Sequence, residues 1–280
     1  MKKPDPRSSS GTIIGADVGA TLIKLAIRTQ DGNTSLQLAS AQAIEEVARK
    51  IELAGPKRVG ITGGGAPKLA RLLSFDTARA QEFEAWRRGA QEILREAASC
   101  PTHRYLLVSL GTGTSAMLVD GETVTRLGGT ALGGGTLIGL GAALVGTANF
   151  DELVALARKG DRRRVDLSVS DIYGSGDAPL PGDLNASSFA KLARPASEPV
   201  PSPADLAHAI LGLVGENVGL ICNGLAAAVP VQQIVFAGST LRANDPLMEI
   251  LRFMVTSGGR EVLFLENGEF AGALGALDAA

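Results

Sequence analysis

The sequence predicts an α/β protein of two lobes, each a mixed sheet with flanking helices, and three observations support this. Short β-prone runs alternate along the chain with stretches of helical periodicity. A pair of strands joined by a Gly/Thr turn and followed by a third strand occurs twice, at residues 12–40 and 104–129. The chain of 280 residues, 45% of them hydrophobic, is long enough for two such cores. We therefore expect an N-terminal lobe at 12–100 and a C-terminal lobe at 101–280, with the boundary near 99–102.

The first predicted lobe begins with a hairpin. Residues 12–18 and 22–29, TIIGADV and LIKLAIRT, are β-prone runs separated by a tight turn at 19–21. The DGN sequence that follows is a hairpin turn signal, so a third strand is expected near 35–40. Helical spacing then predicts helices over 43–55, from residue 66 and over 78–97, around a strand at 58–64.

The second predicted lobe repeats the hairpin and contains more helix. The sequence from RYLLVSL to RLGG, residues 104–129, is typical of three strands separated by turns. Residues 174–203 are rich in Gly, Pro, Ser and Asp, and they are predicted to form a long loop with at most one helical turn. Helices are expected over 132–147, 150–159, 204–228, 246–257 and 272–279, and strands over 233–241 and 261–266.

Composition argues against several classes of protein. The net charge of −2, from 27 basic and 29 acidic residues, offers no positive excess for nucleic acid or an anionic membrane. Apolar runs such as 137–148 are shorter than the roughly 20 residues that a bilayer needs. Residues 1–11 lack the apolar core of a signal peptide, and we expect a flexible tail there. Cys100 and Cys222 cannot form a disulfide framework or a cysteine-based zinc site, so a cytoplasmic protein is expected.

Asp17 and Gly19 interrupt the first hairpin, although neither residue type favours a buried strand. A Gly/Thr turn leaves backbone N–H groups open to phosphate oxygens, and Lys24 on the second strand lies within reach of the same phosphates. An isolated buried carboxylate is costly, and a hydrated Mg²⁺ would balance Asp17. A turn without any ligand, with Asp17 as a local cap, is the alternative that this stretch leaves open. The phosphate interpretation assigns to the nucleotide Asp17, Gly19, Ala20, Thr21 and Lys24.

A second turn of glycine and hydroxyl residues stands at the corresponding place in the second half. Two such turns facing each other across a cleft would hold the triphosphate of ATP between them. A third glycine signal, Gly238 and Ser239, follows a buried strand, where an adenosine could lie. The pattern G-x4-G-K-[ST] does not occur, which argues against a P-loop. The second turn contributes Gly111, Thr112, Gly113, Thr114 and Ser115.

Eight motifs occur in order along the chain: DVGATLIK, TGGGAPK, EFEA, SLGTGTS, RLGGTALGGGT, DIYG, VFAGSTLR and FLENGEFAGALGAL. Together they resemble the type II pantothenate kinases, of the acetate kinase, sugar kinase, Hsp70 and actin superfamily. The resemblance runs from Ile13 to Leu277, and its most specific parts are RLGGTALGGGT, DIYG and FLENGE. It implies a two-lobed actin-like (ribonuclease H-like) ATPase fold, ATP and Mg²⁺ as cofactors, pantothenate as substrate, and a homodimer.

The resemblance also implies roles for single residues. Glu82 corresponds to the carboxylate that takes the proton from the primary hydroxyl of pantothenate, and Arg126 to the arginine that holds the pantothenate carboxylate. Thr112 and Ser115 stand where the family has hydroxyls or small residues near substrate and phosphates, and Gly129 would line the substrate pocket. The positions placed at the nucleotide are Asp17 (also at Mg²⁺), Gly19, Thr21, Lys24, Gly238 and Ser239.

Glu82 has an alternative interpretation, Ala20 departs from the family pattern, and two other functions remain as alternatives. Taken without the resemblance, Glu82 is interpreted as a solvated helical glutamate, because most such residues are exposed. Ala20 stands where the family commonly has a second glycine, and its methyl group requires a negative φ.

The expected activity is ATP-dependent phosphorylation of pantothenate to 4′-phosphopantothenate, at the first step of coenzyme A synthesis. The alternatives are an N-acetylhexosamine or related small-molecule kinase and a non-catalytic nucleotide-binding regulator.

Overall fold

Two five-stranded sheets of mixed direction, one from each half of the chain, form the frame of the structure. The structure is a computed structural model that describes residues 10–97, 103–174, 182, 184–193 and 200–280. Each sheet contains an antiparallel meander extended by parallel strands, as the repeated plan in the sequence predicts. The residues at the predicted lobe boundary, most of the predicted tail and part of the loop predicted over 174–203 lie outside the described part. Within that predicted loop, Asn185–Ser187 form a short strand, which corrects the prediction there.

The first sheet consists of β1 (Ser10–Val18), β2 (Leu22–Arg28), β3 (Thr34–Ser40), β4 (Pro56–Thr62) and β5 (Ala78–Arg79). Its strand order is β3-β2-β1-β4-β5. The first three strands are antiparallel, whereas β4 runs parallel to β1 and β5 parallel to β4. The β1–β2 register places Asp17 opposite Lys24, so two predicted site residues are cross-strand neighbours.

The second sheet repeats this plan with strands that are farther apart in the chain. Its strands are β6 (Arg104–Leu110), β7 (Thr114–Asp120) and β8 (Thr123–Thr130), followed after β9 (Leu167–Ser168) and β10 (Asn185–Ser187) by β11 (Gln233–Ala237) and β12 (Glu261–Phe264). The order is β12-β11-β6-β7-β8, while β9 and β10 pair separately as a two-stranded sheet. The β6–β7 hairpin therefore corresponds to the β1–β2 hairpin, and each carries one of the predicted phosphate turns.

The described helices other than Val169–Tyr173, which was not predicted, lie close to their predicted positions, and the start of one of them needs correction. The helix predicted over 78–97 starts later, because residues 78–79 pair with β4 and the helix begins at Glu82. The Gln81 side chain caps that helix by accepting a hydrogen bond from the Glu84 N–H. The helices are α1 (Ile44–Ala54), α2 (Ala66–Leu72), α3 (Glu82–Glu96), α4 (Gly134–Leu140), α5 (Phe150–Ala157), α6 (Val169–Tyr173), α7 (Pro203–Ala228), α8 (Asp245–Ser257) and α9 (Ala271–Leu277).

Helix α9 packs against the first sheet and α3 with almost no clearance. A Cβ placed on Gly15 of β1 would lie 2.0 Å from the Ala273 carbonyl oxygen. A Cβ on Gly60 of β4 would lie 1.9 Å from the Ala276 carbonyl oxygen. Glycine is thus required at both strand positions, because any side chain would push the helix off the sheet. The contact of α9 with α3 is equally close, since a Cβ on Gly275 would lie 1.8 Å from the Ala85 carbonyl oxygen.

Helix α7 is the centre of the largest hydrophobic core. Its buried face packs with α5, α8 and the second sheet, through side chains such as Ile210, Val214 and Phe236. By length and composition α7 could also cross a membrane, as could the bent pair formed by residues 134–145 and 150–157. More than half of the apolar stretch of α7 that is long enough to span a bilayer is buried inside the protein, as in the core helix of a globular domain.

Candidate active site

A cleft of about 500 Å³ lies between the two sheets, and both halves of the chain line it. The β1–β2 turn forms one wall and the β6–β7 turn the other. The two walls contact each other where the hydroxyl oxygens of Thr21 and Thr112 lie 3.0 Å apart. The lining residues include these predicted site residues: Asp17, Gly19, Ala20, Thr21, Lys24, Glu82, Gly111, Thr112, Gly113, Thr114, Ser115, Arg126 and Ser239.

The first wall contains a buried ion pair directly beneath its turn. Asp17 and Lys24 are 3% and 7% exposed, and Lys24 Nζ lies 3.5 Å from Asp17 Oδ2. Two glycines enclose the carboxylate, because a Cβ on Gly63 or Gly272 would lie 2.6 or 2.8 Å from its oxygens. Burial raises the pKa of Asp17 above its ordinary value, and the Lys24 ammonium partly offsets that effect. A cation bound beside Asp17 would relieve the same desolvation cost.

The turn above this pair presents free amides to the cleft. Its own hydrogen bond runs from the Gly19 N–H to the Leu22 carbonyl, at 3.1 Å. The N–H groups of Ala20 and Thr21 donate to no backbone carbonyl of the described residues. Ala20 has a negative φ, so its methyl group causes no backbone strain in this turn. The first turn can therefore offer two N–H groups to an anion.

The second turn is neutral and is braced from two later segments. The Gly111 N–H bonds to the Gly113 carbonyl at 2.9 Å within the turn. The Gly111 carbonyl accepts from the Gly134 N–H and from the Thr240 hydroxyl, both at 2.8 Å. The Thr112 carbonyl accepts from Gly135 N–H at 2.9 Å. Because donors at the start of α4 and after β11 bind these carbonyls, the backbone of the turn is fixed and its amides keep their position.

Gly238 closes the second turn from behind instead of lining the cleft. Its φ is +117°, and a Cβ there would lie 2.2 Å from the Leu110 carbonyl oxygen. It also lines a neighbouring cavity of about 330 Å³, on the side of β12. Ser239 lies on the cleft side, where it lines both the main cleft and an adjoining pocket of about 160 Å³.

Glu82, the first residue of α3, faces the cleft from the side of the first wall. The residue is exposed to the open cleft, yet desolvation by its surroundings raises the pKa of Glu82. The negative charge of Asp17 raises that pKa further, and the Lys24 ammonium lowers it. Trp86, one turn later on α3, is buried and lines the cleft beside it. A carboxyl group with a raised pKa in a cleft is suited to accept a proton.

Arg126 reaches the cleft from β8, where the strand is irregular. Met117 pairs with Arg126 but Ala116 pairs with Gly128, so one extra residue of β8 has no partner on β7. Such a bulge changes the direction in which neighbouring side chains point. The Arg126 guanidinium has no hydrogen-bond or ion-pair partner within the described residues, which leaves its planar fork available to an anion.

Gly129 lies behind this site instead of in its lining. It pairs with Ser115 across the β7–β8 ladder. A Cβ on Gly129 would lie 2.3 Å from the Thr114 carbonyl oxygen and 3.0 Å from Arg126 Nη2. The position therefore makes room for the second turn and for the arginine.

Sequence reasoning did not assign several lining residues to the site, among them Gly63, Gly64, Ser109 and Thr130. The signal for Gly63 and Gly64 was present in the motif TGGGAPK, which carried part of the family resemblance but was given no role at the site. Gly63 has a specific role, since it leaves space for the Asp17 carboxylate. Ser109 and Thr130 had no such signal, because hydroxyl residues at strand ends are common.

Comparison with known proteins gives close relatives over nearly the whole chain. The family model described as Fumble matches residues 14–279. The type II pantothenate kinase of Oceanobacillus iheyensis is 35% identical over 265 residues, covering 94% of this chain and 98% of the relative. The type II pantothenate kinase of Staphylococcus haemolyticus is 32% identical over 264 residues, with the same coverage.

Solved structures with similar folds are more distant in sequence. The activator of the 2-hydroxyisocaproyl-CoA dehydratase from Clostridium difficile, with bound ADPNP, has a TM-score of 0.61 at 16% identity, covering 96% of this chain and 94% of that one. A ROK family glucokinase from Streptomyces griseus, in complex with glucose and AMPPNP, has a TM-score of 0.60 at 15% identity, covering 96% and 99%. These similarities confirm the predicted actin-like fold class. The sequence relatives and the family match together show that the chain belongs to the Fumble family, that of the type II pantothenate kinases.

Proposed function

We propose that this protein transfers the γ-phosphoryl group of ATP to pantothenate and so makes 4′-phosphopantothenate, at the first step of coenzyme A synthesis. The observation that carries the proposal is the cleft itself. Two amide turns face each other across it, and Glu82 and Arg126 lie in the same lining. A phosphate-binding pair of walls, a carboxylate and a free guanidinium are the groups that such a transfer needs.

The two turns would hold the nucleotide. Their open amides and the Lys24 ammonium can surround the phosphates from both sides, with Ser239 toward the adenosine. Asp17 fits a hydrated Mg²⁺, because it is a buried carboxylate whose only ionic partner among the described residues is Lys24. When bound, Mg²⁺ would neutralise charge on the phosphates. The described residues contain no group of three or more potential ligands, so waters and phosphates would complete the coordination.

The acceptor would lie between Glu82 and Arg126. The guanidinium can hold the pantothenate carboxylate with two parallel hydrogen bonds. Glu82, once deprotonated, can take the proton from the attacking hydroxyl. Thr112 and Ser115 line the same cleft and would contact the acceptor there, with Gly129 behind Ser115.

A coupled assay of ADP release with pantothenate, pantetheine and N-acetylglucosamine tests the proposed substrate. We expect turnover with pantothenate and none with the sugar. Turnover with N-acetylglucosamine alone would instead support the small-molecule kinase alternative. ATP binding without turnover on any acceptor would support a non-catalytic regulator.

Two substitutions test the assigned roles in the same assay. Glu82→Gln should keep nucleotide binding and lower kcat by about 10²–10⁴-fold, the usual contribution of general base catalysis. Arg126→Ala should raise the KM for pantothenate far more than the KM for ATP. Undiminished turnover in the first variant, or equal KM changes in the second, would remove the corresponding role.

We also infer a cytoplasmic homodimer. Large apolar side chains are exposed on three neighbouring helices, with Tyr173 on α6, Leu220 on α7 and Phe253 on α8. A cavity of about 590 Å³ with an apolar lining that includes Tyr173, Leu220 and Met254 lies among them. A second copy of the chain would cover this surface. Sedimentation velocity should show a dimer that Leu220→Glu dissociates, and a monomeric wild-type protein would contradict the inference.

A further inference from the structure

Helix α3 carries a buried arginine one residue after Trp86. Arg87 is only 3% exposed. Its Nε and Nη2 atoms lie 3.1 and 3.0 Å from Glu84 Oε2. Its Nη1 atom donates to Gln91 at 2.8 Å and to Glu122 at 3.0 Å. A buried guanidinium with this many partners is fixed in one geometry, because losing a partner would leave an uncompensated charge.

The contacts of Arg87 join α3 to the turn between β7 and β8. Glu122 belongs to that turn, and its side chain is 89% exposed although its partner is buried. A second contact reinforces the first, since Gln91 Nε2 donates to the Gly121 carbonyl at 2.9 Å. The turn is thus attached to α3 at two adjacent residues. β8 starts immediately afterwards and carries Arg126.

Apolar packing supports the same connection. Trp86 and Ala90 of α3 share one hydrophobic cluster with Tyr105 of β6 and Met117 of β7. The Tyr105 hydroxyl is buried and has no hydrogen-bond partner among the described residues, and burial raises the pKa of Tyr105 to about 12. The tyrosine is therefore neutral and leaves the Arg87 charge to Glu84 and Glu122. These contacts join helix α3 to the part of the β7–β8 hairpin that leads to Arg126. We term the two segments the acceptor unit (residues 82–96 and 117–126).

The acceptor unit contains Glu82 at one end of α3 and Arg126 on β8. We propose that Arg87 is a positioning residue that fixes the distance between these two side chains through its contacts with Glu122 and Gln91. That distance in turn determines where the acceptor substrate binds. This inference rests on the proposed function, in which Glu82 and Arg126 hold opposite ends of pantothenate. A displacement of about 1 Å in such a pair can lower the rate by about 10²-fold.

Both phosphate turns, at residues 19–21 and 111–115, lie outside the acceptor unit. Loss of Arg87 should therefore impair use of the acceptor and leave use of ATP nearly unchanged. A purely structural arginine would instead lower stability and affect both substrates together. The ratio of the two effects separates these roles.

The test compares four single variants and one double variant with the wild-type enzyme by the KM for each substrate, kcat and the thermal midpoint. Arg87→Met removes the charge, and Arg87→Lys keeps the charge without the planar fork. Glu122→Lys places a like charge against Arg87 at an exposed position, where folding should be preserved. The matched control is Arg28→Met, which breaks the ion pair between β2 and Glu92 on α3.

We expect kcat/KM for pantothenate to fall about 10- to 100-fold in Arg87→Met and Glu122→Lys, with the KM for ATP changed less than about twofold. Arg87→Lys should recover part of the loss, and Arg28→Met should remain within about twofold of the wild type. The double variant Arg87→Met/Glu122→Lys should be no worse than Arg87→Met, because both changes break the same contact.

Two results would overturn the inference. One is a wild-type enzyme that phosphorylates pantothenate while Glu122→Lys and Arg87→Met keep its full efficiency. The other is a parallel loss for both substrates with no recovery in Arg87→Lys. A wild-type protein inactive on pantothenate would instead reject the proposed function, and this inference would be rejected with it.

Discussion

The two turns that face each other across the cleft share a backbone plan and differ in charge. The first turn stands on the buried pair of Asp17 and Lys24. The second turn itself carries hydroxyl side chains, such as Thr112 and Thr114, and its carbonyls are engaged by residues far along the chain. One wall therefore supplies charge, and the other supplies neutral donors that are held in place.

This difference indicates how a duplicated hairpin can serve an unsymmetrical ligand. A triphosphate with its metal ion needs fixed charge on one side only, because two charged walls would repel each other or leave one unpaired. Rigidity of the neutral wall then determines how well its amides are aimed, since preorganised dipoles act without reorganisation during the reaction.

Removal of the charge from the first wall should have the largest effect. Asp17→Asn is expected to lower kcat by about 10²–10³-fold, the range for loss of one preorganised electrostatic group. Thr112→Ala on the opposite wall removes a neutral hydroxyl and should cost less than about tenfold. Steady-state turnover at saturating ATP and pantothenate measures both. Equal losses in the two variants would contradict the division between charged and neutral walls.

Disturbing the close contact of Gly238 behind the second turn should lower the free energy of unfolding. Gly238→Ala places a methyl group against the Leu110 carbonyl oxygen at a positive φ, and should destabilise the protein by about 2–3 kcal/mol. Gly139→Ala is the matched control, because a Cβ there meets nothing within 4 Å and α4 should gain helix propensity. Thermal unfolding should show a lower midpoint only for the first variant; an unchanged midpoint would mean that the turn is not braced there.

The charge of the first wall should also be detectable at Glu82. Desolvation and Asp17 both raise the pKa of Glu82, so the carboxyl group deprotonates at higher pH than an ordinary glutamate. Asp17→Asn removes the second cause, and the pKa of Glu82 should move down toward its ordinary value. Carboxyl ¹³C NMR of the ligand-free protein can follow this, with Glu82→Gln to assign the signal. An upward or absent movement would show that Asp17 does not act on Glu82.

The smallest effect is expected from making the turns more alike. Ala20→Gly gives the first turn a second glycine, as in the second turn, but Ala20 already has a negative φ. We expect kcat and the KM for ATP to change by less than about fivefold, because less than about 1 kcal/mol of backbone freedom is at stake. A large gain in ATP affinity would show that the methyl group hinders the phosphates.

Local sequence patterns were sufficient to predict the hairpins and both turns. Alternation of apolar residues located the strands, and glycine next to threonine located the turns, because these depend on neighbours in the chain. The start of α3 was misplaced by four residues, since residues 78–79 join β4 through a tertiary contact that local helical spacing does not report.

The features that shape the site depend on contacts between distant segments. Gly63 and Gly272 enclose Asp17 from two different elements, and no local pattern connects them. The bulge in β8 that re-aims Arg126 is a property of strand pairing. Arg87 in isolation has the appearance of a solvated helical arginine, because its partner Glu122 lies in another part of the chain.

The close seat of α9 on the first sheet has a consequence for synthesis. A chain emerges from the ribosome with its N-terminus first, and α9 follows every other described helix and strand. While translation continues, β1 and β4 therefore carry a bare strip of backbone at Gly15 and Gly60 that only the late helix can cover. Asp17 gains its last wall, Gly272, at the same moment. A nascent chain halted before this helix would contain both phosphate turns, but the packing around Asp17 beneath the first turn would be incomplete.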